Sequence, residues 1–508
     1  YALLLKNGAN ELPELNISGN DFLKYICCED KHIEQVNLIL ERIGKIDCNV
    51  NSYCSFNEGG KFYNVNGISK FNKDNLDCTA NDPGMPFVKY VVNDSSQSAE
   101  FIFDYSGQYR LFLTEGEHNI KPKIGLENYF RATPDSLTVK FPGANDTIVA
   151  DFCFKPNGNI PDAKVIIVPK DPIRPGFPTI FNLVFSNVGS VNLNGDVLFE
   201  YDEKILKLTS ASIPPDVQTT NTLLWHFTDL SVFESRTISF TLLCNSPMNV
   251  PPVNNDDILK FVATIRLKEN DNNLSNNIFV LNSVAVGALD PNDLTCLEGD
   301  FIPIEQVGKS LHYLCRFENI GKYSAQNIVI KHDLDTQYFD LSSVEVLDVS
   351  HKSWSRFKNS NTLEFIFENI NLPFDTLSNK GFILYKINTR ADLQVNDTIK
   401  NTASIYFDFN FPVVTNTTKT VVGFPTSTKI IDNNTAPELF PNPAYDILYL
   451  PLYEGLVKYE IFDINGRMIS SDNVSSNNSI NISGLKCGTY IIKVSIGNRT
   501  HISKFIKM

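Results

Sequence analysis

Apolar and polar residues alternate with a period of two along most of the chain, from about residue 62 onward. The segments "FVKYVVND", "YRLFLTEGEHNI" and "KFVATIRL" show the pattern, and Gly, Asn or Pro residues separate such segments. This alternation predicts half-buried β-strands joined by turns, and in "YRLFLTEGEHNI" it predicts a β-hairpin. A chain of 508 residues exceeds one typical domain of ~100–150 residues. We therefore expect a mainly β, multidomain protein.

The first 61 residues follow a different pattern. The spacing L-x-x-L-x-L-x-x-N-x-x-L of a leucine-rich repeat is met by Leu12, Leu15, Ile17, Asn20 and Leu23. The next segment, "KHIEQVNLILERIG", places its apolar residues on one helical face, which predicts a helix that caps the repeat. One repeat cannot bury its own apolar face. Either more repeats precede Tyr1, or this segment packs against the next module.

Three further modules are predicted before the C-terminal segment. Residues 62–168 form the first of them, a β-domain. Residues 169–286 and 287–423 share a weak internal repeat, in which an apolar strand, the pattern N-x-G, a polar spacer and a second apolar strand follow each other. Their short strands and regular turn residues predict two immunoglobulin-like β-sandwiches. The Thr- and Asn-rich segment 424–438 is predicted to be a linker, and residues 439–508 a small antiparallel β-domain.

Composition and charge narrow the functional classes. The 44 basic and 58 acidic residues give a net charge of -14, which argues against nucleic-acid binding. No apolar run in the sequence reaches the ~18 residues of a membrane-spanning helix. The chain begins at Tyr1 rather than Met, from which we expect that a leader has been removed. Five of the ten cysteines lie within the first 78 residues, which predicts an exported protein with disulfides of open connectivity, with buried thiols as the alternative.

The last segment contains a series of motifs at stereotyped spacing. "PNP" precedes the strand "DILYL", and "YEIFDINGRMI", "ISGLKCGTYIIKV" and the closing "SKFIKM" follow. The anchor residues of these motifs are Pro441, Asn442, Pro443, Asp446, Leu448, Gly466, Leu485, Gly488 and Tyr490. With these anchors, residues 439–508 resemble the type A C-terminal sorting domain of type IX secretion system cargo in Bacteroidetes.

This resemblance implies a role in protein export rather than a catalytic activity. It implies that residues 439–508 are an export and attachment signal, which the type IX secretion translocon and attachment machinery recognise. It places the chain outside both membranes, either secreted or on the outer cell surface, and it leaves open whether the tail is cleaved. Residues 62–122 are similar to SdrD-B or carboxypeptidase-regulatory surface domains. The segment that begins "ALDPNDLTCLEG" is similar to an uncharacterised immunoglobulin-like domain found upstream of such tails.

The sequence lacks the common catalytic motifs. It contains no G-x-S-x-G elbow, no H-E-x-x-H, no P-loop and no G-x-G-x-x-G after a strand. We therefore predict a protein without catalytic residues.

Calcium is the one candidate cofactor. In the loop "FNKDNLDCTAND", Asn72, Asp74 and Asp82 would supply the hard oxygen ligands that calcium prefers. The loop departs from EF-hand spacing, since Leu76 stands at the fifth position. The alternative interpretation is a turn rich in Asn and Asp.

The sequence leaves more than one class of function open. The first is a non-enzymatic secreted or cell-surface protein whose N-terminal modules serve adhesion or recognition of a protein or glycan ligand. The alternative is an exported hydrolase whose catalytic domain lies upstream of Tyr1 or is degenerate. In a third interpretation the β-modules bind glycans themselves, with Trp354 stacking on sugars. Ligand identity, oligomeric state and glycosylation stay open.

Overall fold

Strands make up 52% of the chain and helices 5%, which confirms the prediction of a mainly β, multidomain protein. The structure is a computed structural model. It describes all residues except 10–11, 58, 73, 75, 96, 144–145, 288–290, 359–360, 375–377, 424–443, 445–446, 450–456, 464–465, 475–478, 487, 497–498 and 508. The chain divides into two compact units, Tyr1–Phe424 and Pro425–Met508.

The N-terminal segment combines a parallel sheet with one helix. Its elements are β1 (Ala2–Leu4), a 3-10 turn (Leu12–Glu14), β2 (Tyr25–Cys27), a 3-10 turn (Asp30–His32), α1 (Ile33–Arg42) and β3 (Asn49–Asn51). The three strands pair in parallel, in chain order. Val36 and Leu40 of α1 are buried in one cluster with Ile17, Leu23 and Ile26. A helix therefore forms where the apolar periodicity predicted one, and it packs on the sheet.

The second module is built from two sheets around an aromatic core. Its strands are β4 (Tyr63–Phe71), β5 (Lys89–Asn93), β6 (Ser98–Ile102), β7 (Gln108–Leu113), β8 (Gly116–Lys123), β9 (Phe130–Thr133), β10 (Leu137–Phe141), β11 (Thr147–Val149) and β12 (Phe152–Pro156). One sheet has the order β11-β4-β12-β9, with β7 also paired to β4. The strands β10-β8-β5-β6 belong to the other sheet. Tyr63 of β4 stacks on Phe141 of β10 with ring centroids 4.7 Å apart, so the two sheets share one core.

The hairpin predicted within "YRLFLTEGEHNI" is wrong. β7 pairs with β4, whereas β8 pairs with β5 and β10, so the two strands lie in different sheets. Both strands bury alternate side chains. Two sheets that face each other satisfy this alternation as well as a hairpin does, because period two reports burial on one face and not the pairing partner.

The third module is a sandwich of two antiparallel sheets. Its strands are β13 (Ala163–Pro169), β14 (Pro178–Asn187), β15 (Leu193–Glu200), β16 (Leu206–Ala211), β17 (Val217–Thr219), β18 (Thr222–Leu230), β19 (Ser235–Cys244), β20 (Ile258–Leu267) and β21 (Ile278–Val284). The sheets have the orders β13-β14-β19-β16 and β17-β18-β15-β20-β21. A 3-10 turn (Leu274–Asn276) precedes β21. β13 pairs with β14 over its whole length, so this module starts earlier than the boundary predicted at Pro169.

The fourth module is a second sandwich. Its elements are β22 (Asp293–Cys296), β23 (Phe301–Ile302), a 3-10 turn (Ile304–Gln306), β24 (Ser310–Glu318), β25 (Ile328–Asp333), β26 (Phe339–Val349), β27 (Trp354–Lys358), β28 (Thr362–Phe367), β29 (Lys380–Thr389), β30 (Thr398–Asn401), β31 (Ala403–Phe407), β32 (Val413–Val414) and β33 (Thr418–Val422). One sheet has the order β22-β24-β29-β26, a second β27-β28-β25-β31-β32, and a third β23-β33-β30. Side chains of all three sheets meet in one core.

The second and fourth modules share a sheet. β6 pairs antiparallel with β27, with Ile102 opposite Ser355 and Phe101 opposite Arg356. This pairing produces one sheet of nine strands with the order β10-β8-β5-β6-β27-β28-β25-β31-β32. The backbone hydrogen bonds of this sheet therefore run from the second module into the fourth without a break.

The N-terminal segment is joined to this shared sheet by a buried polar network. Tyr53 Oη donates to Glu364 Oε1 at 2.7 Å, and Arg356 Nε donates to Glu364 Oε2 at 2.8 Å. Glu364 and Arg356 are 1% and 7% exposed. Burial by itself would raise the pKa of Glu364, but the charges of Arg356 and Lys358 outweigh it and hold that pKa below its usual range. The Glu364 carboxylate is thus ionised, and the charges of Arg356 and Lys358 stabilise it in that state.

Two disulfides hold the first two modules. They join Cys27 to Cys54 and Cys78 to Cys153. The remaining cysteines in the described part of the chain are free and buried: Cys28, Cys48, Cys244, Cys296 and Cys315. The chain therefore contains both disulfide-bonded cysteines and buried free thiols, which are the two alternatives that the sequence left open.

The C-terminal unit is a small antiparallel β-structure. Its described strands are β34 (Ile447–Tyr449), β35 (Val457–Asp463), β36 (Met468–Asn473), β37 (Ser479–Asn481), β38 (Gly488–Ile496) and β39 (Arg499–Lys507). β34 pairs with β37, and the other strands form a sheet with the order β36-β35-β38-β39. Leu448, Ile461, Ile492 and Phe505 are among the buried residues of its own core.

The buried network predicts a large effect for Arg356→Leu. The substitution leaves the buried Glu364 carboxylate without its closest cation, and removing one partner of a buried ion pair typically lowers the free energy of unfolding by ~3–5 kcal/mol. Chemical denaturation at pH 7 measures the loss. Arg390→Leu is the matched control, because the Arg390–Asp392 pair is exposed and such pairs contribute about 1 kcal/mol or less. Equal losses in the two variants would contradict the assigned role of Glu364.

Candidate functional site

The predicted sorting residues that the structure describes support the fold of the C-terminal unit. Leu448 is fully buried, on the strand β34. Leu485 packs against the same core, and its amide donates to the carbonyl of Ile482 at 3.0 Å. Gly488 starts β38 opposite Lys507. Pro441, Asn442, Pro443 and Asp446 lie outside the described residues.

Gly466 lies in the turn between β35 and β36. Its φ is 81°, a left-handed conformation that glycine adopts without a Cβ clash. The Gly466 amide donates to the carbonyl of Asp463 at 3.0 Å, and the Arg467 amide donates to Asp463 Oδ1 at 3.0 Å. The glycine of "INGR" is therefore a requirement of the turn.

Tyr490 of β38 contacts the strand β39 and the residues just before β38. Its ring stacks on Phe505 with centroids 5.6 Å apart, and its hydroxyl donates to the carbonyl of Lys486 at 2.8 Å. The described anchors thus build the core and turns. The surface that remains for a partner includes β36, an outer strand of the sheet on which Met468 and Ile469 are 50% and 41% exposed.

The predicted calcium residues are held together by a turn. Asn72 Oδ1 accepts hydrogen bonds from the amides of Asp74 and Leu76 at 2.9 and 3.2 Å, and Asn72 Nδ2 faces the Asp82 carboxylate at 3.3 Å. Asp82 Oδ2 accepts from the amide and the hydroxyl of Thr79 at 2.5 and 3.0 Å. The hydrogen bond from the Thr79 amide contributes most to the lowered pKa of Asp82. Calcium binding by Asn72, Asp74 and Asp82 stays a prediction.

The described thiols and the most buried histidine are arranged as core residues. Burial raises the pKa of Cys28 and of Cys244 to about 11, so both are protonated near neutral pH. His332 is fully buried, and its Nδ1 donates to Asn401 Oδ1 at 3.1 Å. Within the described residues, no three His, Cys, Asp or Glu side chains are grouped to hold a metal ion.

Trp354, which the sequence suggested as a sugar platform, packs among three neighbours. Its ring centroid lies 6.1 Å from that of Phe56 and 6.2 Å from that of Phe103. The Arg356 guanidinium lies 5.5 Å from its ring. These contacts bring together the N-terminal segment, the second module and the fourth module, so Trp354 belongs to a junction.

A groove of about 570 Å³ lies where the N-terminal segment meets the fourth module. Its lining comes from α1, from the end of β3 and the residues just after it, and from β25, β27, β28 and β31. The buried part of the lining includes Asn51, Ser52, Tyr53, Thr362 and Glu364. The volume falls within the ~300–1,000 Å³ that is typical of small-molecule sites.

The two lysines of the groove are already paired. Lys358 Nζ lies 2.7 Å from Asp30 Oδ2 and 3.4 Å from Glu364 Oε2. Lys331 Nζ lies 3.0 Å from Asp333 Oδ2. Burial opposes ionisation of Asp30, but Lys358 outweighs it and lowers the pKa of that carboxyl. Both cations are therefore neutralised by protein carboxylates.

Asn51 is a buried groove residue with a free donor. Its Oδ1 accepts from Tyr25 Oη at 2.7 Å and from the Tyr53 amide at 2.9 Å, which fixes the orientation of the side-chain amide. Among the described residues its Nδ2 has no hydrogen-bond partner, although Asn51 is only 3% exposed. The sequence reasoning missed Asn51, because "CNVNSYC" looks like any short polar strand.

Two protein-family models match the chain. Residues 290–421 match a domain of unknown function (DUF7619), and residues 438–508 match the secretion system C-terminal sorting domain. The chain is exported by type IX secretion. Its destination is the cell surface or the medium, and the sorting domain implies contact with the type IX machinery. None of the described helices has the length and apolar character needed to span a membrane.

Solved structures resemble the chain at low TM-scores. The BSP domain of a biofilm-associated protein is 11% identical, with 68% of this chain and 81% of that domain covered and a TM-score of 0.23. The C-terminal domain of the Streptococcus pyogenes antigen I/II-family protein AspA is 9% identical, with 52% and 100% covered and a TM-score of 0.20. The full-length major pilin SpaD from Corynebacterium diphtheriae is 12% identical, with 64% and 86% covered and a TM-score of 0.17. These scores are too low to carry an argument. No curated protein matches the chain.

The burial of His332 predicts a pH dependence of stability. Burial lowers the pKa of His332 to about 4 from an ordinary value of 6.5. The unfolded chain then binds more protons than the folded chain between these two values, so the free energy of unfolding falls as the pH drops from 6.5 to 4. The expected contribution of this one group is roughly 3 kcal/mol.

Denaturation measured across this pH range tests the histidine. His332→Gln removes the titrating group but keeps a donor for Asn401, and we expect this variant to lose the corresponding part of the pH dependence. His226→Gln is the control, because His226 is exposed on β18. If His332→Gln retained the full wild-type dependence, the assignment to His332 would be wrong.

Proposed function

We propose that this chain is a non-enzymatic protein of Bacteroidetes that acts in adhesion or recognition after its export. The C-terminal unit supplies the export signal, and the first unit supplies the recognition surface. The observation that carries the recognition role is the groove, because exposed side chains of α1, Glu34 and Glu41 among them, line it together with residues of the fourth module. The buried protonated thiols and the buried His332 support a role without catalysis.

We further propose that the N-terminal segment is the end of a leucine-rich repeat array and that α1 is its cap. The parallel order of β1, β2 and β3 supports this, as does Asn20, whose Nδ2 donates to the carbonyl of Ile17 at 3.2 Å. A recognition surface on this sheet would be blocked at Tyr25 and Asn49. The Tyr25 ring lies 4.8 Å from Phe409, and Asn49 Nδ2 donates to the carbonyls of Phe409 and Asn410 at 3.0 and 2.7 Å.

The third and fourth modules are proposed to be immunoglobulin-like supports. Each has sheets that enclose one apolar core. The sheet shared by β6 and β27 ties the fourth module to the second, so a ligand held at the groove would be held by a rigid base. For the C-terminal unit, we propose that the translocon contacts the outer strand β36, since outer strands offer unpaired backbone groups to a partner.

Export is tested by comparing the full chain with a chain that lacks residues 439–508, in a type IX-secreting host. We expect the full chain in the medium or on the cell surface and the shortened chain inside the cell. Leu448→Asp should act like the deletion, because it buries a carboxylate in the core of the C-terminal unit. Immunoblotting of the cell fractions measures the distribution.

Leu274→Asp is the matched control for this experiment. It introduces the same charge at a leucine that is 72% exposed in the third module, and it should be exported normally. Limited proteolysis of retained Leu448→Asp protein should still show a folded first unit. Export of the chain that lacks residues 439–508 would overturn the assigned role of the C-terminal unit.

A further inference from the structure

We infer that a turn of the fourth module, residues 319–323, binds an extended segment of a partner polypeptide through the backbone carbonyls of that segment. The turn carries the pattern N-x-G, which also occurs at residues 187–191 of the third module. In the third module such a turn is covered, whereas in the fourth module it is exposed. This surface is distinct from the groove lined by α1, and its role would stand without a ligand in that groove.

In the third module a single asparagine organises the turn. Asn187 Oδ1 accepts from the Gly189 amide at 2.9 Å. Its Nδ2 donates to the carbonyls of Val191 and Leu230 at 2.7 and 2.9 Å. Asn187 is fully buried, so these hydrogen bonds are shielded from water and hold the turn in one shape.

The asparagine of the fourth module makes the same three contacts. Asn319 Oδ1 accepts from the Gly321 amide at 3.0 Å. Its Nδ2 donates to the carbonyls of Tyr323 and Leu372 at 2.8 and 3.0 Å. Asn319 is buried as well. The two turns therefore present their remaining backbone groups in the same arrangement, and the third module is a template for the fourth.

An extended segment of the chain covers the turn of the third module. The amides of Val188 and Gly189 donate to the carbonyl of Asp162 at 3.0 and 3.1 Å. The Ser190 amide donates to the carbonyl of Ile160 at 2.8 Å. The segment is therefore held by backbone hydrogen bonds to two of its carbonyls, which are two positions apart.

The glycine of the pattern leaves room for this segment. A Cβ at Gly189 would lie 2.2 Å from the carbonyl oxygen of Ile160, so no larger residue fits beneath the segment. The nearest atoms to a Cβ at Gly321 would belong to the turn itself, namely Asn319 Oδ1 at 3.0 Å and the Tyr323 carbonyl oxygen at 3.9 Å. The fourth module thus has a glycine at the same position, with no described segment of the chain across it.

The turn of the fourth module faces solvent and has free donors. Ile320 is 73% and Tyr323 is 84% exposed. Among the described residues, the amides of Ile320 and Lys322 have no hydrogen-bond partner. The corresponding amides of the third module are the ones that donate to its covering segment. Exposed backbone donors beside apolar side chains suit a bound peptide, because main-chain hydrogen bonds give affinity and side-chain contacts give specificity.

The chain that leads into the fourth module takes another course. Counted back from the pairing of β22 with β24, Gly287 is the counterpart of Ile160. A Cβ at Gly287 would lie 2.7 Å from Asn255 Nδ2 of the third module, and the Val286 amide donates to the Ile173 carbonyl there at 2.9 Å. Residues 286 and 287 thus pack on the third module rather than on the turn, which leaves the turn open to a second polypeptide.

The partner is defined by its backbone. It must offer an extended stretch in which two carbonyls, two positions apart, accept from the amides of Ile320, Gly321 and Lys322. A small or apolar side chain must lie against Tyr323. Residues 158–162 of this chain, GNIPD, meet the backbone requirement in the template, so the chain's own sequence provides a probe.

Photo-crosslinking to the full chain tests this binding with the peptide PNGNIPDAK, residues 156–164, which carries a benzophenone group at its amino terminus. We expect crosslinks at residues 319–323, located by mass spectrometry. The same peptide made of D-amino acids is the matched control, because its composition is unchanged but its backbone has the opposite hand. We expect its crosslinking yield at the turn to be roughly 10-fold lower, which corresponds to about 1.4 kcal/mol of binding free energy.

Gly321→Ala tests the backbone contact. Its Cβ would stand where the carbonyl of the partner passes, as a Cβ at Gly189 would meet Ile160, so we expect the yield at the turn to fall roughly 10-fold. Gly484→Ala is the matched control, since a Cβ there meets no atom within 4 Å. Denaturation curves should show that both variants are folded.

Ile320→Ser/Tyr323→Ser tests the apolar contact and should also reduce the yield. Met248→Ser/Val250→Ser is its control, because these two residues are 94% and 95% exposed on a loop of the third module. Equal yields with the L- and D-peptides, or an unchanged yield in folded Gly321→Ala, would contradict the inferred site. Absence of crosslinks at residues 319–323 of the wild type would contradict it as well, and would leave the export role and the groove unaffected.

Discussion

The first unit depends on one buried carboxylate, that of Glu364. Tyr53 from the N-terminal segment and Arg356 from the neighbouring strand both donate to it, and Lys358 joins it to Asp30. A buried ion is tolerated only when its hydrogen bonds and charges are satisfied, so the three donors must be in place for this region to fold. The network therefore fixes the position of the N-terminal segment on the shared sheet, and that position creates the groove.

The same region explains why the modules of the first unit are not separate domains joined only by linkers. β6 of the second module pairs with β27, and Trp354 at the start of β27 contacts Phe56 and Phe103 from two other modules. Hydrogen bonding and aromatic packing thus converge on one strand. An exposed outer strand invites aggregation, and pairing β6 with β27 removes that hazard for both modules.

The export signal and the proposed recognition surface lie in different parts of the chain. The C-terminal unit has a core of its own, and its described anchors, such as Leu448, Gly466 and Tyr490, fold that core and its turns. Motif residues of this kind are readable in the sequence because local geometry requires them: a left-handed turn needs glycine, and a buried strand needs an apolar residue. The groove has no such motif, since its residues come from elements far apart in the chain.

The sequence by itself determined the β character of the chain, the helix at α1 and the export signal, because each follows from short-range periodicity or from a local motif. It did not determine which strands pair. The alternation of apolar and polar residues indicated that β7 and β8 each bury one face. It also predicted that the two strands pair in a hairpin, whereas they lie in different sheets. Ile102 and Ser355 are neighbours although 253 positions separate them. Such contacts follow from which strand edges and faces fit each other in the folded chain, and only the tertiary structure decided them. The free amide of Asn51 and its place in a groove belong to the same class, because burial without a partner is a property of the assembled fold.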